Sequence, residues 1–276
     1  MAKNRVTIKD LARRLELSPA TVSLALSGQG EQYRISADTR ARIKTAARDM
    51  GYRPNHLARS MRRGRTDTIG VVFPDISESY MNNVLEGIEA VAMERKSSLM
   101  IASSSFDHGV EARNIEALLD RRVDGLILVP YAPFRNEDYD DAAIRMASES
   151  GTPIVALDRY FPGIIVHAVV GADRKAARAA TERLISRGCR RLAYLGFDLI
   201  IDTLAERRRG FHDAAAAAGL DGDTTEFLVA ERNAESRDIR NWYFGLVEGG
   251  NVPDGILVST NGLALKLRAL AAEAAA

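Results

Sequence analysis

The stretch "SPATVSLALSG", residues 18–28, decides how the chain is read. Ser18 offers a hydroxyl to cap a helix, and Pro19 suits the first helical position. Val22, Ala25 and Leu26 follow at i, i+3 and i+4, so one face of the helix packs inward. Ala20, Thr21 and Ser23 are left on the other side with little bulk. A face kept this small suits close approach to a partner surface.

Upstream, "VTIKDLARRLE" (residues 6–16) predicts another helix. Thr7 and Asp10 have capping-box spacing, and Ile8, Leu11, Ala12 and Leu15 form its apolar stripe. A short turn at "ELS" joins the two, and the pair reads as a helix-turn-helix. Downstream, "ISADTRARIKTAARDMGY" predicts a third helix, capped by Ser36 and ended by Gly51. Its core residues are Ile43, Ala46, Ala47 and Met50. In such a unit the second helix enters the major groove, and its first residues meet base edges. Hydroxyls and the helix N-terminus hydrogen-bond phosphates. Periodicity alone fits any three-helix domain equally well.

Charge separates these readings. The net charge of +1 hides a split: residues 1–66 hold 15 Lys or Arg against 5 Asp or Glu, and residues 67–276 hold 23 against 32. A basic head on an acidic body points to a polyanionic partner, with a solvated basic surface as the plain alternative. The segment "YRPNHLARSMRRGRT" (52–66) continues the theme. Pro54 opens a short helix with Leu57, Ala58 and Met61 on one side and Arg59, Arg62, Arg63 and Arg65 around it. It is too short to stand alone. Such a segment can fold on DNA and insert apolar side chains into the minor groove. A charged linker is the simpler alternative.

From residue 67 the pattern changes. Apolar runs "TIGVVFP", "SSLMIAS", "DGLILVP", "TPIVALD", "AVVGAD", "RRLAYLG", "TEFLVA" and "DGILVS" alternate with amphipathic stretches. Short buried strands between helices predict parallel, doubly wound α/β sheets. The spacing tightens over 158–173, which we read as a crossing between two lobes. Ligands in such sheets bind beyond the carboxyl ends of strands. The residues there are Asp75, Ser79 and Tyr80, then Val129 to Tyr131, then Asp158 and Arg159. The second half offers Asp198 to Arg207 and Ser259 to Asn261. Arg159 follows a strand and can meet a hydroxyl or a phosphate.

Enzyme chemistry finds little footing. There is no "GxxxxGK" loop and no "GxGxxG" after a strand. His56, His108, His167 and His212 show no metal spacing, and no cofactor is expected. Cys189 is the only cysteine, so the chain has no internal disulfide, which fits a reducing compartment. The first residues read neither as a signal peptide nor as an anchor, and no segment is long and apolar enough to span a bilayer. We expect a cytoplasmic, nucleoid-associated protein.

Together, "VTIKDLARRLELSPATVSLALSG" and "ISADTRARIKTAARDMGYRPNHLARSMRRGRTDTIGVVFPDI" resemble the lactose-repressor/galactose-repressor family of bacterial transcription regulators. "GQGEQYRIS" and "PIVALDR…VVGAD" are similar to its fructose-repressor (catabolite repressor/activator) branch. The resemblance implies a body like a periplasmic sugar-binding protein, with two lobes around a cleft. It implies that Pro19, Ala20 and Leu24 read bases. Thr7, Ser18, Thr21, Ser23 and Asn55 match phosphate-contacting or capping positions. Met61 stands where the family places a leucine wedge, and Tyr52, His56 and Ala58 complete the DNA-binding set. Many members have Arg where this chain has Leu24, which cannot make a bidentate pair with guanine. For the effector, the resemblance picks out Arg207, with Thr203 one turn earlier on the same helix face. Asn261 falls where sugar-binding members often have Asp. With Arg159 and Arg207, that loss of a carboxylate favours a sugar phosphate over a neutral sugar.

The expected layout is a helix-turn-helix head (1–53), a hinge helix and linker (54–66), a first lobe (67–160) and an incomplete second lobe (161–276). Against the resembled family the chain reads as C-terminally truncated, with unpaired edges that favour instability or association. The expected function is a DNA-binding regulator, a repressor acting as a homodimer on a pseudo-palindromic double-stranded operator, under a small sugar or sugar phosphate. The rivals are a solute-binding module without regulatory function and an α/β sugar hydrolase or kinase.

Overall fold

The computed structural model describes residues 6–53, 60, 63–75, 79–130, 142–160, 164–198, 201–229 and 236–274. The chain divides into two compact units between Thr66 and Asp67. Among the described residues no helix is long and apolar enough to cross a membrane.

The first unit holds three helices: α1 (Ile8–Leu15), α2 (Pro19–Leu26) and α3 (Ala37–Asp49). α1 ends where Glu16 takes a left-handed φ of 56° and its amide bonds back to the carbonyls of Ala12 and Arg13. That reversal spends the last orphan carbonyls and turns the chain at once into α2. Leu11, Ala12, Val22, Ala25, Ile43 and Ala47 make the core, so each helix contributes its predicted stripe.

The second unit begins with β1 (Thr68–Phe73), α4 (Ser79–Glu94), β2 (Ser98–Ser103), α5 (His108–Asp120) and β3 (Gly125–Leu128). It continues through α6 (Ala142–Glu149), β4 (Ile154–Leu157) and β5 (His167–Val169). These strands form one sheet in the order β2-β1-β3-β4-β5, every pair parallel. Then come α7 (Asp173–Ser186), β6 (Leu192–Phe197), α8 (Asp202–Ala217), β7 (Thr224–Val229), α9 (Ser236–Glu248), β8 (Gly255–Val258) and α10 (Asn261–Ala274). The second sheet is also parallel, in the order β7-β6-β8.

Each of the eight apolar runs is a strand. One boundary differs from the sequence reading. β5 pairs with β4 through Val155–His167, Ala156–Ala168 and Leu157–Val169. The chain therefore leaves the first sheet after Val169, not at residue 160 where the lobe boundary was expected. The amide of Asp158 bonds to the carbonyl of Val169 at 2.8 Å, which holds the short connection in register without a helix.

Both faces of the central strands are covered, as parallel strands require, while the edge strands β2 and β5 stay largely exposed. Along β6 the side chains alternate. Leu192 and Tyr194 pack with Phe211 and Ala215 of α8, while Leu195 packs with Ile239 of α9 and with Leu263, Leu267 and Leu270 of α10. α7 and α8 cross at Gly210, where an added Cβ would lie 2.2 Å from the carbonyl oxygen of Arg174. Only a hydrogen atom fits there, and the two backbones touch.

Candidate functional site

In the head, the site is built on helix caps. Thr7 caps α1: its amide donates to Asp10 Oδ2 at 2.9 Å and its hydroxyl at 2.7 Å. The Asp10 amide returns a bond to Thr7 Oγ1 at 3.3 Å. These bonds hold the Asp10 carboxyl below its usual range, the hydroxyl contributing most and the amide next. Ser18 caps α2 by accepting the Thr21 amide at 3.0 Å, and the two hydroxyls lie 2.8 Å apart. Pro19 and Ala20 are exposed, and Thr21, Ser23 and Leu24 are half-buried. The small face of α2 therefore points away from the core. Tyr52 packs against that core, and its amide bonds to Ala47 O at 2.8 Å. Asn55, His56, Ala58 and Met61 lie outside the described residues.

In the body, the candidate cleft forms where the carboxyl ends of the two sheets meet. Arg207, in the second turn of α8, donates Nε to Asp173 Oδ1 at 2.7 Å and Nη1 to the Ser259 carbonyl at 2.8 Å. Asp173 opens α7, and Ser259 follows β8, so one guanidinium joins three elements. From the first sheet, Asp158 and Arg159 follow β4. Asp158 takes a left-handed φ of 67°. Arg159 is buried and donates to Asp158 Oδ2 at 3.3 Å and to the Pro130 carbonyl at 3.1 Å. It thus ties the ends of β3 and β4 rather than standing free.

Electrostatics link the two sides. Burial pushes the Tyr80 phenol above its usual value; the carboxylates of Asp158 and Asp173 push the same way, and Arg207 opposes them. Burial also raises Asp158, against the pull of Arg159 and Arg207. Tyr80 of α4 is 46% exposed and stands at the mouth. A direct bond crosses between the sheets: the Tyr160 amide donates to Asp202 Oδ2 at 3.0 Å. Burial lifts the Asp202 carboxyl, partly offset by the amides of Tyr160 and Thr203.

The sequence candidates divide. Asp75 lies two residues past β1, Thr203 is buried in the first turn of α8, and Asn261 is exposed at the start of α10. Residue 79 opens α4, and residues 131–141 lie outside the described residues. Sequence reasoning missed Asp173 as a partner of Arg207. The signal available was its place at the end of the run "AVVGAD", where a strand-to-helix turn delivers a carboxylate. Arg159 and Arg207, singled out for an anionic ligand, are both in ion pairs in the structure. Each already faces a carboxylate, and Asp202 adds a third acid, so the cleft is not a plain cationic pocket.

Two family models match. Residues 7–55 match "bacterial regulatory proteins, lacI family", and residues 66–265 match "periplasmic binding proteins and sugar binding domain of LacI family". The catabolite repressor/activator of Salmonella typhimurium is 32% identical over 238 residues, covering 85% of this chain and 69% of that protein. The lac repressor dimer bound to operator and the anti-inducer ONPF is similar in fold, with a TM-score of 0.81, 21% identity and coverage of 99% of this chain and 79% of that one. The Cra dual regulator of Pseudomonas putida in complex with fructose 1-phosphate has a TM-score of 0.64 at 23% identity, covering 74% and 73%.

Proposed function

Because this chain belongs to the lacI family of bacterial regulatory proteins, we propose a specific division of labour within it. The family is one of DNA-binding transcription regulators, not enzymes, and its body is a sugar-binding domain. α2 reads a pseudo-palindromic operator, with Pro19, Ala20 and Leu24 at base edges and Thr7, Ser18, Thr21 and Ser23 at phosphates. Residues 54–66 act as the hinge, with Asn55, His56, Ala58 and Met61 on the DNA. Two copies bind one operator, since two-fold proteins match two-fold sites. The protein works as a repressor in the cytoplasm, on the nucleoid.

The effector is a small sugar or sugar phosphate held between the lobes by Arg207, Asp158, Asp173 and Tyr80, with Asp75, Ser79, Arg159, Thr203 and Asn261 around it. The observation that carries this is the Arg207 bridge between Asp173 and the Ser259 carbonyl. A ligand hydroxyl or phosphate that replaces either bond changes how α8 is tied to α7 and β8. Effector and operator then favour different lobe arrangements, and the coupling is reciprocal.

The test is selection of bound duplexes from a random pool, followed by titration of candidate sugars against the selected site. A palindromic consensus released or tightened by one sugar supports the proposal. Unspecific, salt-sensitive binding without a consensus defeats it.

A further inference from the structure

α2 reads "PATVSLAL" and contains no Arg, Lys, Asn, Gln, Asp or Glu. The bidentate pairs that identify guanine and adenine need Arg or Lys, and Asn or Gln, respectively; recognition of cytosine needs an acid. None can come from this helix. What remains is hydroxyl contact and apolar contact with the thymine C5-methyl.

The apolar residues of α2 fall into two sets. Val22 and Ala25 are in the head's core, and Leu26 packs against it. Ala20 and Leu24 are neither in that core nor among the side chains packed on it. They lie one turn apart on one face, roughly 6 Å along the axis. The hydroxyls of Ser18 and Thr21 are already engaged with each other at the cap. The outward face is thus a short apolar strip beside a capped N-terminus.

We infer that α2 reads its operator through thymine methyl groups, with Leu24 as the main contact and Ala20 as the second. This rests on the assignment of α2 to the major groove. Two thymines in each half-site would present their methyls to the strip, at a spacing comparable to two base steps of about 3.4 Å.

The experiment uses the full chain and the operator selected from a random pool. Each thymine is replaced in turn by deoxyuridine, which lacks the methyl and keeps the pairing. The expected result is a loss of about four-fold for each contacted methyl, the factor carried by burying one methyl-sized group. The loss is confined to one or two positions per half-site. Leu24→Ala then brings the thymine-to-uracil ratio at its own position close to one. Because Leu24 lies outside the core, that variant keeps its fold, and its salt-sensitive unspecific binding checks this. Uniform tolerance of deoxyuridine across a well-defined consensus overturns methyl reading and leaves the DNA-binding assignment standing. Failure to select any consensus overturns both.

Discussion

The backbone amide of Tyr160 donates to Asp202 Oδ2 at 3.0 Å and so joins the end of the first sheet to the start of α8. Asp202 begins the helix that carries Arg207 one and a half turns later. Loss of this carboxylate frees the lobes to separate without touching the ligand groups. Asp202→Ala is expected to shift effector affinity several-fold while leaving the identity of the preferred sugar unchanged. A calorimetric titration checks it, and a changed sugar preference would place Asp202 in direct contact with the ligand.

Arg207→Ala removes the two bonds by which its guanidinium ties α8 to Asp173 and Ser259. Effector response should disappear while specific operator binding without effector is retained, because Arg207 lies in the body and not in the head. Parallel band-shift titrations with and without effector measure both quantities. Equal loss of the two would refute the assignment. Asp173→Asn should raise affinity for phosphorylated sugars relative to neutral ones, since it frees Arg207 from a competing carboxylate.

The Ser18 cap makes a local prediction. Ser18→Ala should cost roughly 1 kcal/mol at the start of α2. Amide exchange at Thr21 and Val22 in the full chain should then speed up about five-fold, with α3 unaffected.

Glu226 of β7 accepts Arg208 Nε at 2.8 Å and meets His212 Nε2 at 2.6 Å. Burial pushes its carboxyl up, but the bonds from Arg208 and His212 outweigh this and hold it below the usual carboxylate range. A depressed folded pKa contributes stability above the unfolded value, and that stability is lost as pH falls through the folded one. Glu226→Gln should therefore destabilise the body by roughly 1 kcal/mol at pH 7. The difference from the parent should shrink as pH falls below about 4.5. Urea unfolding at pH 7 and in mild acid reads both arms, and a pH-independent difference would contradict the ion pair's role.

Much of the fold is legible in local pattern. The caps at Thr7, Ser18 and Ser36 are encoded within four residues, and the strands announce themselves as apolar runs. β5 was harder to place: His167, Ala168 and Val169 are all exposed, and only pairing with β4 assigns them to the first sheet. The cleft was half legible. Strand ends can be read from sequence, so Arg159 stood out, and the family resemblance picked out Arg207. Their partners could not be read, because Asp173 lies 34 residues from Arg207 and Asp202 lies 42 from Tyr160. Such pairings depend on how the sheets stack, which no local spacing encodes.

The contact at Gly210 makes α7 and α8 a single lever. Asp173 and Arg207 sit near one end of the pair, so a ligand that pulls on either helix would tilt both together. Gly210→Ala, with its Cβ driven into the Arg174 carbonyl, should cost about 3 kcal/mol. Over the 14 residues of α7, roughly 20 Å of rigid arm, a small displacement at the cleft becomes a larger swing at Ser186. On the proposed cleft site, the far side of the second lobe is where a ligand's pull would be amplified into motion.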